Sequence, residues 1–319
     1  MGNLVTALLG ATAQGVLWGI MALGVYITYK LLDIADLTVD GSFALGGCVC
    51  AILILKGVNP VLATLIAISA GLLAGAVTGI LHTVFNIPSI LAGILTQISL
   101  WSINLRIMSG KSNNPLLNVN TILSSFVGRS GKTTIESSSS FAKTLGMTQT
   151  TASLVMGIVF AVLIIILLYW FFGTEIGSAL RATGNNEAMI RALGVNTNRT
   201  KLIALMLSNG LVALSGSLVA QSQKYADVGM GTGSIVIGLA AIVIGDVLMR
   251  RVHNFAFKLA SAVVGAIIYF IIRALVLRMG MDANDMKLLS AIIVALSLCI
   301  PIVIQRIKEK NSYSEGGEE

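Results

Sequence analysis

Charged residues are scarce in this sequence of 319 residues. Asp, Glu, Lys and Arg together make up 11% of the positions, whereas hydrophobic residues make up 55%, and the mean hydropathy is +0.89. A soluble domain carries about 25% charged residues, so this chain has too few to cover a surface that faces water. The composition therefore excludes a soluble globular protein and indicates a membrane protein.

Cysteine and histidine, which act as metal ligands and nucleophiles, are also few. Cys48, Cys50 and Cys299 lie inside apolar segments, and His82 and His253 each stand alone. Because no ligand spacing beyond Cys-x-Cys is present, we expect the thiols to pack as small apolar side chains. The sequence predicts neither a metal site nor a disulfide.

The formal net charge of +7 does not indicate nucleic-acid binding. The basic residues stand singly or in pairs around the ends of apolar runs, and they form no stripe of the kind that a duplex requires. We therefore expect no nucleic acid as a partner.

Long apolar runs are what the sequence has in abundance. Residues 153–172 contain no charged side chain, and about 20 apolar residues cross the hydrocarbon core as a helix. We predict an all-α, polytopic transmembrane helical bundle that forms a single domain over 1–319. Two of its segments are short, and one of these is rich in glycine, which is typical of broken helices beside a transport pathway. The nine predicted segments are about 5–29, 41–55 (short), 60–83, 88–107, 153–172, 201–222, 233–249 (short), 256–278 and 287–305.

The distribution of lysine and arginine predicts the orientation. Cytoplasmic loops carry an excess of these residues, and in the C-terminal half the excess falls on 173–200, 250–255 and the tail 306–319. The N-terminus is therefore predicted outside and the C-terminus inside, with 108–152 as an extracytoplasmic loop. The basic residues of that loop count against this orientation, although long loops cross largely regardless of charge.

The two halves of the chain, about 5–107 and 201–305, share an internal repeat. Three short matches occur at an offset of 191 or 192 residues: Gly19–Leu23 with Gly210–Leu214, Ala35-Asp36 with Ala226-Asp227, and Gly41-Ser42 with Gly233-Ser234. Since one acidic loop is predicted inside and the other outside, the repeat is inverted. Such repeats place the solute site at the interface between the halves; chance similarity of glycine- and alanine-rich helices is the alternative.

The polar stretch 173–200 stands out among the predicted cytoplasmic loops. Its apolar residues suit short helical turns broken at Gly184 and Gly194, and Glu187 and Arg191 are four residues apart, so they can pair on one helix face. This pattern predicts a small amphipathic elbow that needs a protein groove for its apolar side. The alternative is a loop that only joins two spans.

Within this stretch, the run GSALRATGNN at 177–186, continued by ALGV at 192–195, resembles the cytoplasmic coupling segment of ABC importer permeases of the branched-chain amino acid and ribose type. The resemblance extends over most of the chain, including 22–47 and 229–245. It implies a non-catalytic permease of the bacterial cytoplasmic membrane whose coupling segment docks on an ATP-hydrolysing subunit. The residues that it assigns to coupling are Gly177, Ala179, Leu180, Arg181, Ala182, Gly184, Asn186, Glu187, Arg191 and Gly194.

The resemblance also implies the partners and the solute. The partners are two ATPase subunits that bind ATP and Mg, an extracytoplasmic solute-binding protein, a second copy of the permease as a homodimer, and membrane lipid; no cofactor is expected in this chain. The acidic loop 33–40 departs from the small-residue loop of many members and resembles a subgroup associated with amino acids such as tryptophan or tyrosine. An aromatic or branched-chain amino acid is the expected solute, with a nucleoside or a sugar as alternatives. An ion-coupled secondary transporter and a non-transporting scaffold are the rival classes.

Polar side chains at membrane depth are the candidates for the substrate pathway, because an unpaired charge there costs about 2.5 kcal/mol or more. Asp36 and Asp40 flank the break before the second segment, where they either cap a helix N-terminus or line an inner gate. The neutral polar residues of the fourth segment either line a path for a zwitterion or join helices. The candidates are Asp36, Asp40, Ser42, Thr96, Gln97, Ser99, Asn104, Asp227 and Ser234.

Overall fold

The computed structural model describes residues 2–117, 119–125, 149–249, 254–280, 285, 288–296 and 299. Within these residues, seven helices are long and apolar enough to cross a membrane, and a further apolar helix is shorter. The strands described are two of three residues each. The structure thereby confirms the predicted all-α, polytopic bundle.

The helices follow the predicted segments closely. Eight of the nine predicted segments correspond to a described helix, and the ninth, 287–305, is helical at 288–296, while most of its remaining residues lie outside the described part of the chain. The elements are α1 (Gly2–Tyr26, followed by the π-helical turn Ile27–Leu31), α2 (Thr38–Leu55), α3 (Pro60–Thr83), α4 (Ser89–Ile107), β1 (Asn113–Pro115), the 3₁₀ turn Leu123–Ser125, α5 (Gln149–Gly173), α6 (Glu175–Asn185), α7 (Glu187–Ala192), α8 (Thr197–Gln223), β2 (Tyr225–Asp227), α9 (Ser234–Leu248) and α10 (Phe255–Arg278).

The second segment is longer than the sequence predicted. Helix α2 begins at Thr38 rather than at residue 41 and contains 18 residues, which is about 27 Å of helix. The earlier start has a local cause, because a carboxylate oxygen of Asp36 accepts the N–H of Thr38 at 2.9 Å and so satisfies a donor of the first turn. Of the two segments predicted to be short, α9 is the short one, with 15 residues.

Small residues allow the central helices to approach one another closely. Gly71 and Gly75 of α3 lie against the backbone of Asn209 and Leu205 in α8, where a Cβ atom would overlap the carbonyl oxygens. Close backbone approach of this kind maximises van der Waals packing between helices in a membrane. Much of α1 and of α8 is buried, and these two helices form the centre of the bundle.

The contacts between the halves follow the predicted repeat. Helix α3 packs on α8, and in the same way α10 of the second half packs on α1 of the first. At the level of residues, Gly19 lies against Val263, and Gly210 lies against Leu72. Gly210 lies 191 positions after Gly19, and Val263 lies 191 positions after Leu72, which is the offset of the repeat. The first and third helices of the two halves therefore exchange equivalent contacts.

Contacts near the ends of the helices show which loops lie at the same end of the bundle. Strands β1 and β2 pair antiparallel, with Asn114 opposite Ala226, so the loops that follow α4 and α8 meet at one end. At the other end, Lys30 forms an ion pair with Asp246 at 2.6 Å, and Asn198 Nδ2 donates to the carbonyl of Thr83 at 3.2 Å. These contacts agree with the loop sides predicted from charge, while the orientation in the membrane stays a prediction. Residues 126–148 of the predicted outer loop and the tail 306–319 lie outside the described residues.

Candidate functional site: a helical elbow and the junction of two half-repeats

The stretch 173–200 folds as two short helices that turn sharply into α8. Three side chains cap successive helix starts: Thr174 Oγ1 accepts the N–H of Gly177, Asn186 Oδ1 accepts that of Met189, and Asn196 Oδ1 accepts that of Arg199. Each cap satisfies a donor that a helix start leaves free. We call α6 and α7 together the elbow.

The helix break within the elbow differs from the predicted one. Gly184 does not break the helix. It lies inside α6, packed against the carbonyl of Leu31, where there is no room for a Cβ atom. The break falls at Asn186, which has an extended backbone with φ of −155°. Gly194 does end the second helix, with φ of +85°, a conformation in which glycine is favoured. The absence of a side chain at Gly184 therefore permits close contact with Leu31 and not a turn.

A charged network ties α7 to α8. The predicted pair is present, with Arg191 Nη2 at 2.8 Å from Glu187 Oε1. Lys201 Nζ lies 2.7 Å from Glu187 Oε2, and Thr197 Oγ1 donates to Glu187 Oε1 at 3.0 Å. The hydrogen bond from Lys201 is the main reason that the pKa of Glu187 is lowered below its ordinary value. Because two of these partners belong to α8, α7 is held to the start of a central helix.

Helix α6 is held to the bundle by different interactions. Arg181 Nη2 donates to the carbonyl of Phe172 at 3.0 Å, and its guanidinium lies 5.0 Å from the centre of the Phe255 ring. Thr183 and Thr200 share a hydrogen bond between hydroxyls at 3.2 Å. Leu180 is fully buried. The elbow therefore contacts α5, α8 and α10, and through Gly184 the end of the first span.

The outer surface of the elbow includes exposed apolar side chains beside an arginine. Met189 and Leu193, four residues apart on and just after α7, are 52% and 70% exposed, and Arg191 lies between them in sequence. Of the predicted coupling residues, Gly177, Leu180 and Gly184 face the bundle, Ala179 and Ala182 are half-buried, and Asn186 and Gly194 are exposed. The predicted set lacked Met189 and Leu193. Their spacing of four residues and their apolar character in a polar stretch were the available signal.

The break before α2 holds a buried carboxylate. Asp36 is 3% exposed, and besides the N–H of Thr38 it accepts Asn209 Nδ2 at 2.7 Å. Asn209 Oδ1 in turn accepts the hydroxyl of Ser42 at 2.6 Å. Asp36 thus accepts a hydrogen bond from the first turn of α2 and links that turn to α8. Asp227 makes the equivalent local bond, since its Oδ1 accepts the N–H of Gly229 two residues later at 2.7 Å.

Asp40 caps a helix of the other half. Its carboxylate accepts the N–H of Gly233 at 2.8 Å, the hydroxyl of Ser234 at 2.9 Å and the N–H of Ile235 at 2.9 Å. Gly231 packs against the carbonyl of Asp40, where a side chain has no room. A negative charge at a helix N-terminus is favourable. Helix α9 therefore starts beside the first turn of α2, which joins the two halves at this point.

The four predicted pathway residues of α4 divide into three groups. Thr96 joins helices, because its hydroxyl accepts that of Thr78 at 3.0 Å, and Thr78 in turn bonds Thr38 at 2.8 Å. The hydroxyl of Ser99 is exposed and bonds the carbonyl of Leu95 in its own helix. Gln97 and Asn104 instead line a cavity beside the Asp40 junction.

That cavity has a volume of about 20 Å³ and lies between α2, α4 and the turn that leads into α9. Asp40, Gln97, Trp101, Asn104 and Thr232 line it. The structure therefore brings Asp40, Gln97 and Asn104 together, with Ser234 hydrogen-bonded to the Asp40 carboxylate. It places Asp36 and Ser42 in the Asn209 network, and Thr96, Ser99 and Asp227 elsewhere. Thr232 was not among the predicted residues.

These features define a class of protein. A bundle with seven candidate membrane spans among its described residues, a helix that starts at a junction between the two halves of the chain, and a folded elbow outside the spans together describe a membrane transport permease. The family described as branched-chain amino acid transport system, permease component, matches residues 7–298. The chain belongs to this family of ABC importer permeases, and it is a multi-pass protein of the bacterial inner membrane.

Individual relatives are similar over nearly their whole length. The tyrosine transport system permease protein of Clostridioides difficile (strain R20291) is 38% identical over 307 residues, which cover 96% of this chain and 95% of that protein. The uncharacterized protein RP368 of Rickettsia prowazekii is 32% identical, covering 93% and 97%. The ribose import permease protein RbsC of Escherichia coli (strain K12) is 25% identical, covering 88% and 81%.

Proposed function

We propose that this chain is the non-catalytic permease subunit of an ATP-driven importer, and that it moves an amino acid of the tyrosine type across the cytoplasmic membrane by alternating access. The observation that carries the proposal is the elbow: a folded unit outside the spans, fixed to several helices, with exposed apolar side chains on its free side. Exposed apolar side chains beside an arginine are typical of a protein-binding surface.

The elbow is suited to transmit movement. Displacement of α7 pulls on the start of α8 through Glu187, and displacement of α6 pulls on α5 and α10 through Arg181. The start of α8 in turn contacts α3 through Asn198. In the proposal, two ATPase subunits hold ATP and Mg, and nucleotide-driven closure of these subunits moves the elbows. A loop that only joins two spans requires none of these contacts.

The remaining partners follow from the family and from the surface. Permeases of ABC import systems work with ATPase subunits and a solute-binding protein, and we propose that a second copy of this chain completes the transporter. The exposed apolar side chains of α5, such as Val159, Val162 and Ile166, suit contact with lipid. We assign no cofactor to the chain itself.

The choice of solute rests on the relatives. The 38% identical relative is named for tyrosine, and the 25% identical one for ribose. We therefore rank a tyrosine-type amino acid first and a sugar second. The acidic loop 33–40 supports the same order, because it resembles the amino acid subgroup.

The test is uptake by a reconstituted complex. The chain is purified with the ATPase and binding protein of its own organism and placed in proteoliposomes, and entry of radiolabelled L-tyrosine is measured with ATP inside or outside the vesicles. We expect uptake only with ATP on the elbow side, and no uptake with an ATPase variant that cannot hydrolyse ATP. Uptake driven by an ion gradient without ATP would show a secondary transporter instead, as would full uptake after deletion of 179–194.

A further inference from the structure

The cavity beside Asp40 is large enough for one small polar group. A volume of about 20 Å³ accommodates a single water-sized group, such as an ammonium or a hydroxyl. A whole amino acid does not fit, so the cavity is a recess that can hold only part of a solute. What it can bind is decided by the atoms that face it.

Asn104 presents an acceptor without a partner. The residue is 1% exposed, its Nδ2 donates to the carbonyl of Gly41 at 3.5 Å, and its Oδ1 has no hydrogen-bond partner among the described residues. The bond to Gly41 sets the orientation of the amide, since the reverse orientation would place two carbonyl oxygens together. A buried acceptor left unpaired is unfavourable. Asn104 lines the recess, so a hydrogen-bond donor held there is the candidate partner for this oxygen.

The charge of the recess favours a cationic donor. Asp40 lines it, and among the described residues no lysine or arginine does. The carboxylate accepts three hydrogen bonds from the start of α9, and because a carboxylate has about four acceptor sites, one remains. Since Asp40 and Asn104 line the same recess, we infer that it attracts an ammonium group, which has donors for both residues, and repels a carboxylate.

An aromatic ring lies at the mouth of the recess. Trp101 lines it, and this residue is 49% exposed. An exposed indole beside a cation site binds ammonium groups through its face and stacks on other rings. The rest of an aromatic amino acid therefore has a surface to lie against while its ammonium enters the recess.

We propose that the recess formed by Asp40, Asn104 and Trp101 is the subsite at which the permease receives the α-ammonium group of its amino acid. This inference rests on the proposed function for the identity of the solute. The chemical class that it predicts, a primary ammonium with an adjacent aromatic group, follows from the acceptors and the ring.

The first experiment measures the charge preference of the recess without any solute. Gln97→Cys is introduced together with Cys299→Ser, which removes the exposed cysteine and leaves the buried Cys48 and Cys50. The complete transporter is treated with methanethiosulfonate reagents that carry an ammonium, no charge or a sulfonate. The rate of modification by each reagent is divided by the rate at which the same reagent modifies a small thiol in solution. We expect the ammonium reagent to react about tenfold faster than the sulfonate.

Two further variants locate the source of this preference. Asn104→Leu and Asp40→Asn are each added to the Gln97→Cys protein, and each should reduce the preference to less than about threefold. Lys56→Cys, at an exposed position between α2 and α3, is the control position and should show no dependence on either variant. Equal rates for the three reagents at Gln97→Cys would overturn the proposal.

The second experiment uses solutes as protectants against the ammonium reagent. L-tyrosine and tyramine should slow the modification of Gln97→Cys, whereas 3-(4-hydroxyphenyl)propionate, which lacks the amino group, should not. Equal protection by the deaminated compound would overturn the proposal and leave a recess that holds water. Charge preference without ATP-driven tyrosine uptake would contradict the proposed solute while supporting a cation subsite.

Discussion

The carboxylate of Asp40, in the first turn of α2, accepts the backbone N–H of Gly233 at 2.8 Å. The two residues are 193 positions apart. Asp40 directly precedes Gly41-Ser42, and Gly233 belongs to Gly233-Ser234, the Gly-Ser pairs from which the repeat was inferred. A helix start that depends on a side chain of the other half cannot shift independently of it. The bond therefore links movement of α9 to movement of α2.

The first prediction concerns this link. Asp40→Ala removes the acceptor for three donors at the start of α9, and a hydrogen bond to a charged group contributes about 1.5–3 kcal/mol. We expect a lower thermal midpoint for the purified complex and a loss of most ATP-driven uptake. Asp33→Asn is the matched control, because Asp33 is exposed with φ of 55°, a conformation that asparagine tolerates. An unchanged midpoint for Asp40→Ala would show that the junction does not stabilise the fold.

The second prediction concerns the contact between the elbow and the first span. In Gly184→Ala, the new methyl group overlaps the carbonyl of Leu31, and the elbow must move away, at a cost of about 1–3 kcal/mol. We expect ATP hydrolysis to continue while its stimulation by the solute-loaded binding protein is lost.

Gly173→Ala serves as the control for this change, because its added methyl group meets nothing within 4 Å. Hydrolysis and uptake are measured in the same vesicles, so that coupling is obtained as their ratio. Normal coupling in Gly184→Ala would contradict a rigid contact at Leu31.

Most of the bundle was predictable because the bilayer imposes a simple requirement on each span. The predicted segment 153–172 lies within α5, Gln149–Gly173, since an uncharged run of that length has few alternatives to a membrane helix. The elbow was predictable as a unit because its polar pattern interrupts two such runs. Its Glu187–Arg191 pair follows from helical spacing alone.

The junction was not predictable, because it depends on packing between distant parts of the chain. The sequence allowed Asp40 to cap a helix N-terminus, but it did not indicate that the helix is α9 and not α2. In the same way, a glycine such as Gly184 serves equally well as a break or as a close contact, and the neighbouring Leu31 decides between them. The start of α2 at Thr38 was missed because the hydrogen bond from the Thr38 N–H to the Asp36 carboxylate extends the helix beyond its apolar run.

The third prediction uses the pKa of Glu187, which is lowered in the folded protein, chiefly by the hydrogen bond from Lys201. A lowered pKa means that this carboxylate stabilises the fold at a pH above the ordinary glutamate value of about 4.3, and that the contribution is lost as the pH falls through the lower folded value. The side chain is 36% exposed, so solvent screening limits the contribution to less than about 1 kcal/mol.

The measurement compares wild type with Glu187→Gln. At pH 7 we expect faster amide exchange in α7 of the variant. As the pH falls below the lowered pKa of Glu187 in the folded protein, we expect the two proteins to become alike once intrinsic exchange rates are corrected. High salt at pH 7 should also reduce the difference. A difference that persists unchanged in acid would mean that Glu187 acts through shape and not through charge.

The fourth prediction concerns the free surface of the elbow. Met189 and Leu193 are exposed on one side of α7, and no other part of the described chain covers them. If they dock on the ATPase, replacing both by serine removes two apolar side chains from an interface, each contributing about 1–3 kcal/mol. We expect the affinity for the purified ATPase to fall at least about tenfold, with the thermal midpoint of the permease unchanged. Leu117→Ser is the matched control, since Leu117 is 65% exposed and lies near β1 at the opposite end of the bundle. ATPase binding by the double variant at the level of this control would remove α7 as the docking surface, because these are the most apolar groups that α7 presents to a partner.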